Sequence, residues 1–99
     1  MAVARPKAWT VYILRCADDT LYTGIAMDVA KRLIQHNTNN RLGARYTRSR
    51  RPVALAYREP AATRAAAARR EHAIKALTRA EKDLLVNAAR RGRRKKSLL

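Results

Sequence analysis

Two phenols, a guanidinium and an imidazole fall at regular spacings in the stretch Trp9 to His36, WTVYILRCADDTLYTGIAMDVAKRLIQH. Tyr12 and Tyr22 are ten residues apart, Arg32 lies ten beyond Tyr22, and His36 four beyond Arg32. A guanidinium can meet a non-bridging phosphate oxygen and offset charge that develops in a transition state. A phenol, with an ordinary pKa near ~10, is a poor base at neutral pH. Neighbouring cations favour its phenolate form, which is a physical reason to cluster such groups. An imidazole can pass a proton or bond a phosphate.

The elements that must position these groups are legible around them. Trp9, Val11 and Ile13 alternate with Thr10, Tyr12 and Leu14, the period of a strand. Ala17-Asp18-Asp19-Thr20 has turn chemistry, because Asp side chains bond their own backbone. Leu21 to Ile25 reads as the return strand of a hairpin with both tyrosines near its middle. Asp28 is a good N-cap for a helix running to about Asn37. Four-residue spacing puts Arg32 and His36 on one face of that helix, while Val29 and Leu33 form an apolar stripe that can pack on the hairpin.

This pattern resembles the GIY-YIG nuclease family. The first signature falls on Thr10-Val11-Tyr12, the second on Tyr22-Thr23-Gly24, and the family arginine on Arg32. Only the tyrosines and the last glycine are kept literally, with Thr10 and Val11 standing as in the small stand-alone bacterial branch. The resemblance covers roughly Ala8 to Val86. It implies that Tyr22 is the general base, that Tyr12 supports the site, and that His36 occupies a place held by His or Tyr. It also implies a metal-binding glutamate on the helix after the third strand, at Glu71. Two places depart from the family. Ile25 stands where some members carry a lysine, and Asn87 only loosely matches an asparagine found late in many members.

Carboxylates are scarce enough to weigh one by one. Asp18 and Asp19 sit in the turn, Asp28 and Glu81 in caps, Glu59 before a proline and Asp83 in the last helix. Glu71 is left, and helical geometry alone would pair it with Lys75 four residues on. The resemblance points instead to a metal ligand. A single carboxylate suits Mg²⁺ or Mn²⁺, which keep several waters and accept a phosphate oxygen. One Cys and two His give no spacing for structural zinc.

The 99 residues suffice for one hydrophobic core. Lys and Arg number 23 against 7 Asp and Glu, a net charge of +16 that attracts polyanions. Because the basic residues run through the folded segments, nucleic acid, DNA first, is the expected partner. No helix pairs a basic face with a large Trp/Leu face, so a membrane surface is not expected. Cys16 is the only cysteine, which excludes an internal disulfide and suits a reducing compartment. A cytoplasmic monomer is the expectation, with no signal peptide read in Met1 to Lys7.

Along the chain, 1–7 reads as a flexible arm, 8–91 as one domain and 92–99 as a basic tail. Asn37 to Pro52 reads as a polar loop in which Arg41, Arg45, Arg48, Arg50 and Arg51 surround Tyr46. Such a cluster can grip phosphates and stack on a base, or the ring can fold back on the core. Val53 to Arg58 reads as a third strand ended by Glu59-Pro60, and Ala61 to Leu77 as a helix. Thr78-Arg79-Ala80-Glu81 is a capping box for a last helix that should stop near Gly92. The expected fold is α/β, a small, mainly antiparallel three-stranded sheet flanked by three helices.

The first functional expectation is a Mg²⁺-dependent endonuclease acting on DNA, with structured or damaged forms in repair as its targets. The competing one is a non-catalytic basic nucleic-acid-binding module on a nuclease scaffold. Tyr22, Arg32 and Glu71 favour the first, Ile25 and the charge the second.

Overall fold

A computed structural model describes residues 8–97, so the expected arm at 1–7 and the final residues 98 and 99 lie outside the description. The elements in chain order are β1 (Trp9–Arg15), β2 (Leu21–Ala26), α1 (Val29–Thr38), α2 (Arg45–Arg48), β3 (Ala54–Ala61), α3 (Arg64–Lys75) and α4 (Arg79–Ser97). The sheet order is β2-β1-β3, and both pairings are antiparallel. The α/β architecture is the expected one, with α2 a single extra turn in the segment read as a loop.

The hairpin forms as its turn chemistry dictates. Asp18 Oδ1 accepts from the Thr20 amide at 3.2 Å and from its hydroxyl at 2.6 Å. Asp19 takes the left-handed conformation, φ 67°, that Asp tolerates. Flanked on both sides, β1 buries Val11, Tyr12, Ile13 and Leu14 in succession. Alternation then divides the core. Tyr12, Leu14, Ala26, Val29 and Val53 cluster on the α1 side, with Tyr22 and Leu33 packed against them. Val11, Ile13, Ala67, Ile74 and Val86 form the second cluster, with Trp9 and Ile25 against it.

The caps fix where the helices begin. Asp28 accepts from the Lys31 amide at 3.0 Å, and Thr63 from the Ala66 amide at 3.1 Å. In the capping box, Thr78 and Glu81 exchange bonds of 3.2 and 2.9 Å. Three boundaries differ most from the sequence reading. α3 spans Arg64–Lys75 rather than Ala61 to Leu77, because Thr63 caps its start. β3 continues through Glu59-Pro60 to Ala61, because an edge strand tolerates a residue with no amide to donate. α4 does not stop at Gly92 but runs to Ser97, the surrounding Arg and Lys being good helix formers.

Candidate active site

Register brings the first two groups together. Gly24 pairs with Tyr12 across the hairpin, and the phenol lies over its Cα. A Cβ at residue 24 would sit 2.6 Å from Tyr12 Oη and 2.7 Å from Cζ. Glycine is therefore required by close approach, which gives the last residue of the second signature a steric cause.

The phenol is held from its other end by α1. Tyr12 Oη lies 2.9 Å from His36 Nε2, and both side chains are buried. The Ala44 amide donates to His36 Nδ1 at 3.2 Å, so the bonding pattern assigns the ring proton to Nε2, which donates to Tyr12. Thr47, also buried, places Oγ1 3.2 Å from Nδ1 and donates to the Ala44 carbonyl at 2.9 Å. Burial pushes His36 down to about 4, with the Arg32 and Arg51 guanidiniums acting in the same sense. A neutral imidazole with both nitrogens engaged and no exposure positions Tyr12. It offers nothing to a phosphate in solution.

Tyr22 is only half buried and stands edge-on to His36, ring centroids 5.3 Å apart. Arg32 Nη1 donates to Gln35 Oε1 at 3.0 Å and to the Leu42 carbonyl, which fixes the guanidinium beside both phenols. Burial raises the Tyr12 hydroxyl to about 12, the neighbouring Tyr22 adding to it. Burial raises Tyr22 as well. Arg32 pulls both phenols down and the Glu71 carboxylate pushes both up, by smaller amounts than burial. With the protein's own groups alone, both phenols are neutral at pH 7.

Glu71 comes from α3, in the layer on the opposite side of the sheet from α1. Because β2 is an edge strand, no further strand separates the two layers there. The carboxylate is part-buried, with Lys75 Nζ 3.6 Å from Oε2, so the helical ion pair expected from spacing is present. All six other carboxylates are engaged. Asp18 meets Arg50, Asp19 meets Arg15 and Arg79, Asp28 caps α1, Glu59 meets Arg70 and Tyr57, Glu81 caps α4, and Asp83 meets Arg79. Among the described residues no three His, Cys, Asp or Glu side chains cluster as a ligand set. A hard divalent ion fits this donor set through one carboxylate, its remaining positions left to water and a phosphate oxygen.

The basic segment divides in two. Arg41, Arg45 and Arg48 are exposed. Arg50 and Arg51 have structural partners: Arg50 meets Asp18 at 3.1 Å and the Tyr46 carbonyl at 2.9 Å, Arg51 the His36 carbonyl at 2.7 Å and Asn40 at 2.8 Å. Tyr46 does not fold into the core. It stacks on Tyr22, centroids 5.8 Å apart and planes at 24°, an association no local pattern announces. Ile25 faces away from the phenols into the second cluster. Asn87 is exposed on α4, which packs against β3, across β1 from Tyr22. The roles of Gly24, Ala44 and Thr47 were not read from the sequence; a threonine buried in a basic segment carries no local signal.

Residues 8–83 match the GIY-YIG catalytic domain, so the chain belongs to the GIY-YIG family, a nuclease family. Its near relatives are UPF0213 proteins. One from Desulfotalea psychrophila is 54% identical over 94 residues, covering 91% of this chain and 84% of the relative. Another, from Natronomonas pharaonis, is 49% identical over 76 residues, covering 77% and 87%. The solution structure of a UPF0213 protein from Bacillus halodurans aligns with a TM-score of 0.52 at 37% identity, over 82% of this chain and 84% of that one. Among the described residues no helix is long and apolar enough to cross a membrane.

Proposed function

We propose that the protein is a metal-dependent endonuclease that hydrolyses phosphodiester bonds in DNA, with branched or damaged DNA in the cytoplasm as its targets. The observation that carries this reading is the grouping of Tyr12, Tyr22 and Arg32 around His36, with Glu71 the one acid whose charge is felt by both phenols. Glu71 would hold Mg²⁺ or Mn²⁺, which polarises the phosphate, stabilises the leaving oxygen and favours the phenolate of Tyr22. Tyr22, the more open of the two phenols, takes a proton from the attacking water as its oxygen bonds to phosphorus. The bond from phosphorus to the leaving oxygen then breaks. Arg32 meets a non-bridging oxygen and offsets the charge that grows there. His36 keeps Tyr12 in place from the buried side. Arg41, Arg45 and Arg48 hold the backbone of the substrate without reading its sequence.

Cleavage of labelled DNA and RNA structures with Mg²⁺ or Mn²⁺ tests this. Arg32→Ala and Glu71→Ala should lose roughly 10²–10³ in turnover while retaining most affinity, because their contribution is to the transition state. Tyr22→Phe should be inactive at every pH, and the wild-type rate should climb above neutrality as the raised phenol ionises. Variants that cut like wild type would reject the site. The Glu71–Lys75 pair and Ile25 favour the competing reading, a binding module, which would show steep salt dependence and no cleavage of any structure.

A further inference from the structure

Tyr46 is the aromatic that the reaction above leaves without a task. Its residue is 39% exposed, on the one-turn helix α2 between two exposed arginines, Arg45 and Arg48. The ring lies nearly parallel to Tyr22, and the Arg50 guanidinium carbon stands over its face, 4.0 Å from the centroid. Arg50 is tethered there by Asp18 and by the Tyr46 carbonyl. A flat group therefore already rests on Tyr46, next to the Tyr22 phenol.

We propose that Tyr46 is a stacking platform for one unpaired nucleotide adjoining the phosphate that is cut. On this view the substrate is nucleic acid carrying a base outside a continuous duplex, at a frayed end, a gap or a branch. Inside a continuous duplex both faces of every base are covered by its neighbours, so only base edges and backbone remain to be read. An aromatic ring presented face-on serves a base that has left the stack. Because Tyr46 rests on Tyr22, the stacked base and the attacked phosphate belong to neighbouring nucleotides. Arg50 yields the ring to the base or closes over it, and Arg45 and Arg48 take the flanking phosphates. The inference rests on the nuclease reading for the cut phosphate, whereas the stacking itself does not require cleavage.

The test is therefore made on binding, in the Glu71→Gln protein. One probe is a DNA hairpin with a single-nucleotide overhang of 2-aminopurine, the other the same hairpin fully paired with 2-aminopurine inside the duplex. The overhang should be bound roughly tenfold more tightly, the size of one base–aromatic stack, and its emission should change on binding. Tyr46→Leu should erase that preference and the emission change, while Tyr46→Phe, which keeps the ring, should retain both. Equal affinity for the two probes, or a preference that survives Tyr46→Leu, would overturn the inference. A Tyr46→Phe protein that behaves like Tyr46→Leu would do so too. If wild type cuts nothing yet shows the ring-dependent preference, the nuclease reading fails and this one stands.

Discussion

The two faces of the sheet are made by alternate residues of the same strands, yet they bury different chemistry. Toward α3 and α4 the buried cluster is Val11, Ile13, Ala67, Ile74 and Val86, held by removing apolar surface from water. Toward α1 the core includes the Tyr12 phenol and, beside it, the wholly buried His36 and Thr47. Burying polar atoms there is tolerable because each has a partner: Tyr12 with His36, His36 with Ala44, Thr47 with Ala44. Stability and chemistry are thus separated by strand parity. The aliphatic face anchors the hairpin, and the matched polar face gathers two phenols about one histidine.

The largest effect should come from breaking the aliphatic face. Ile74→Ala leaves a cavity where nothing is exposed and should cost about 2–5 kcal/mol in chemical denaturation. The protein that remains folded should keep the wild-type dependence of rate on pH. A loss under ~1 kcal/mol would mean that this face does not anchor the fold as described.

A smaller and more local effect is expected at the seam of the polar face. Gly24→Ala drives a methyl into the Tyr12 phenol, which is pinned by His36 at 2.9 Å and cannot retreat without losing that bond. The cost should be about 1–3 kcal/mol, as for other overpacked sites. An ultraviolet titration should show one phenol ionising earlier than in wild type, since Tyr12 would leave the burial that holds it near 12. An unchanged titration would show that the ring has room to spare.

The smallest effect is a slope in acid. His36 falls from ~6.5 in the unfolded chain to about 4 when folded, so protonation favours unfolding. Its contribution is complete above pH ~6.5 and is lost as pH drops toward about 4. One proton gives at most about 1.4 kcal/mol per pH unit. Denaturation midpoints measured from pH 7 to 5, above the usual carboxylate range, should fall in wild type and stay flatter in His36→Gln. Equal slopes would mean that folding leaves the titration of this histidine unchanged.

What the sequence determined by itself is local. Alternation from Trp9 to Ile25 specified the hairpin, and Asp28 and the Thr78–Glu81 box specified two helix starts. Each of these depends on neighbours within a few residues, through strand period or a side chain reaching back to an amide. Only the tertiary structure decided the rest. Arg32 and His36 share a helical face, yet His36 is buried because Ala44 and Thr47 fold back onto it from the following segment. Tyr46 meets Tyr22 across 24 residues, and Arg50 and Arg51, expected among the phosphate-gripping residues, also turn inward to Asp18, Asn40 and backbone carbonyls. β3 runs through Pro60 because it lies at an edge, which strand order settles and composition does not. A cap or a period is fixed by spacing along the chain. The surroundings of a side chain depend on which distant segments pack over it, and that is fixed only when the sheet and helices close on one another.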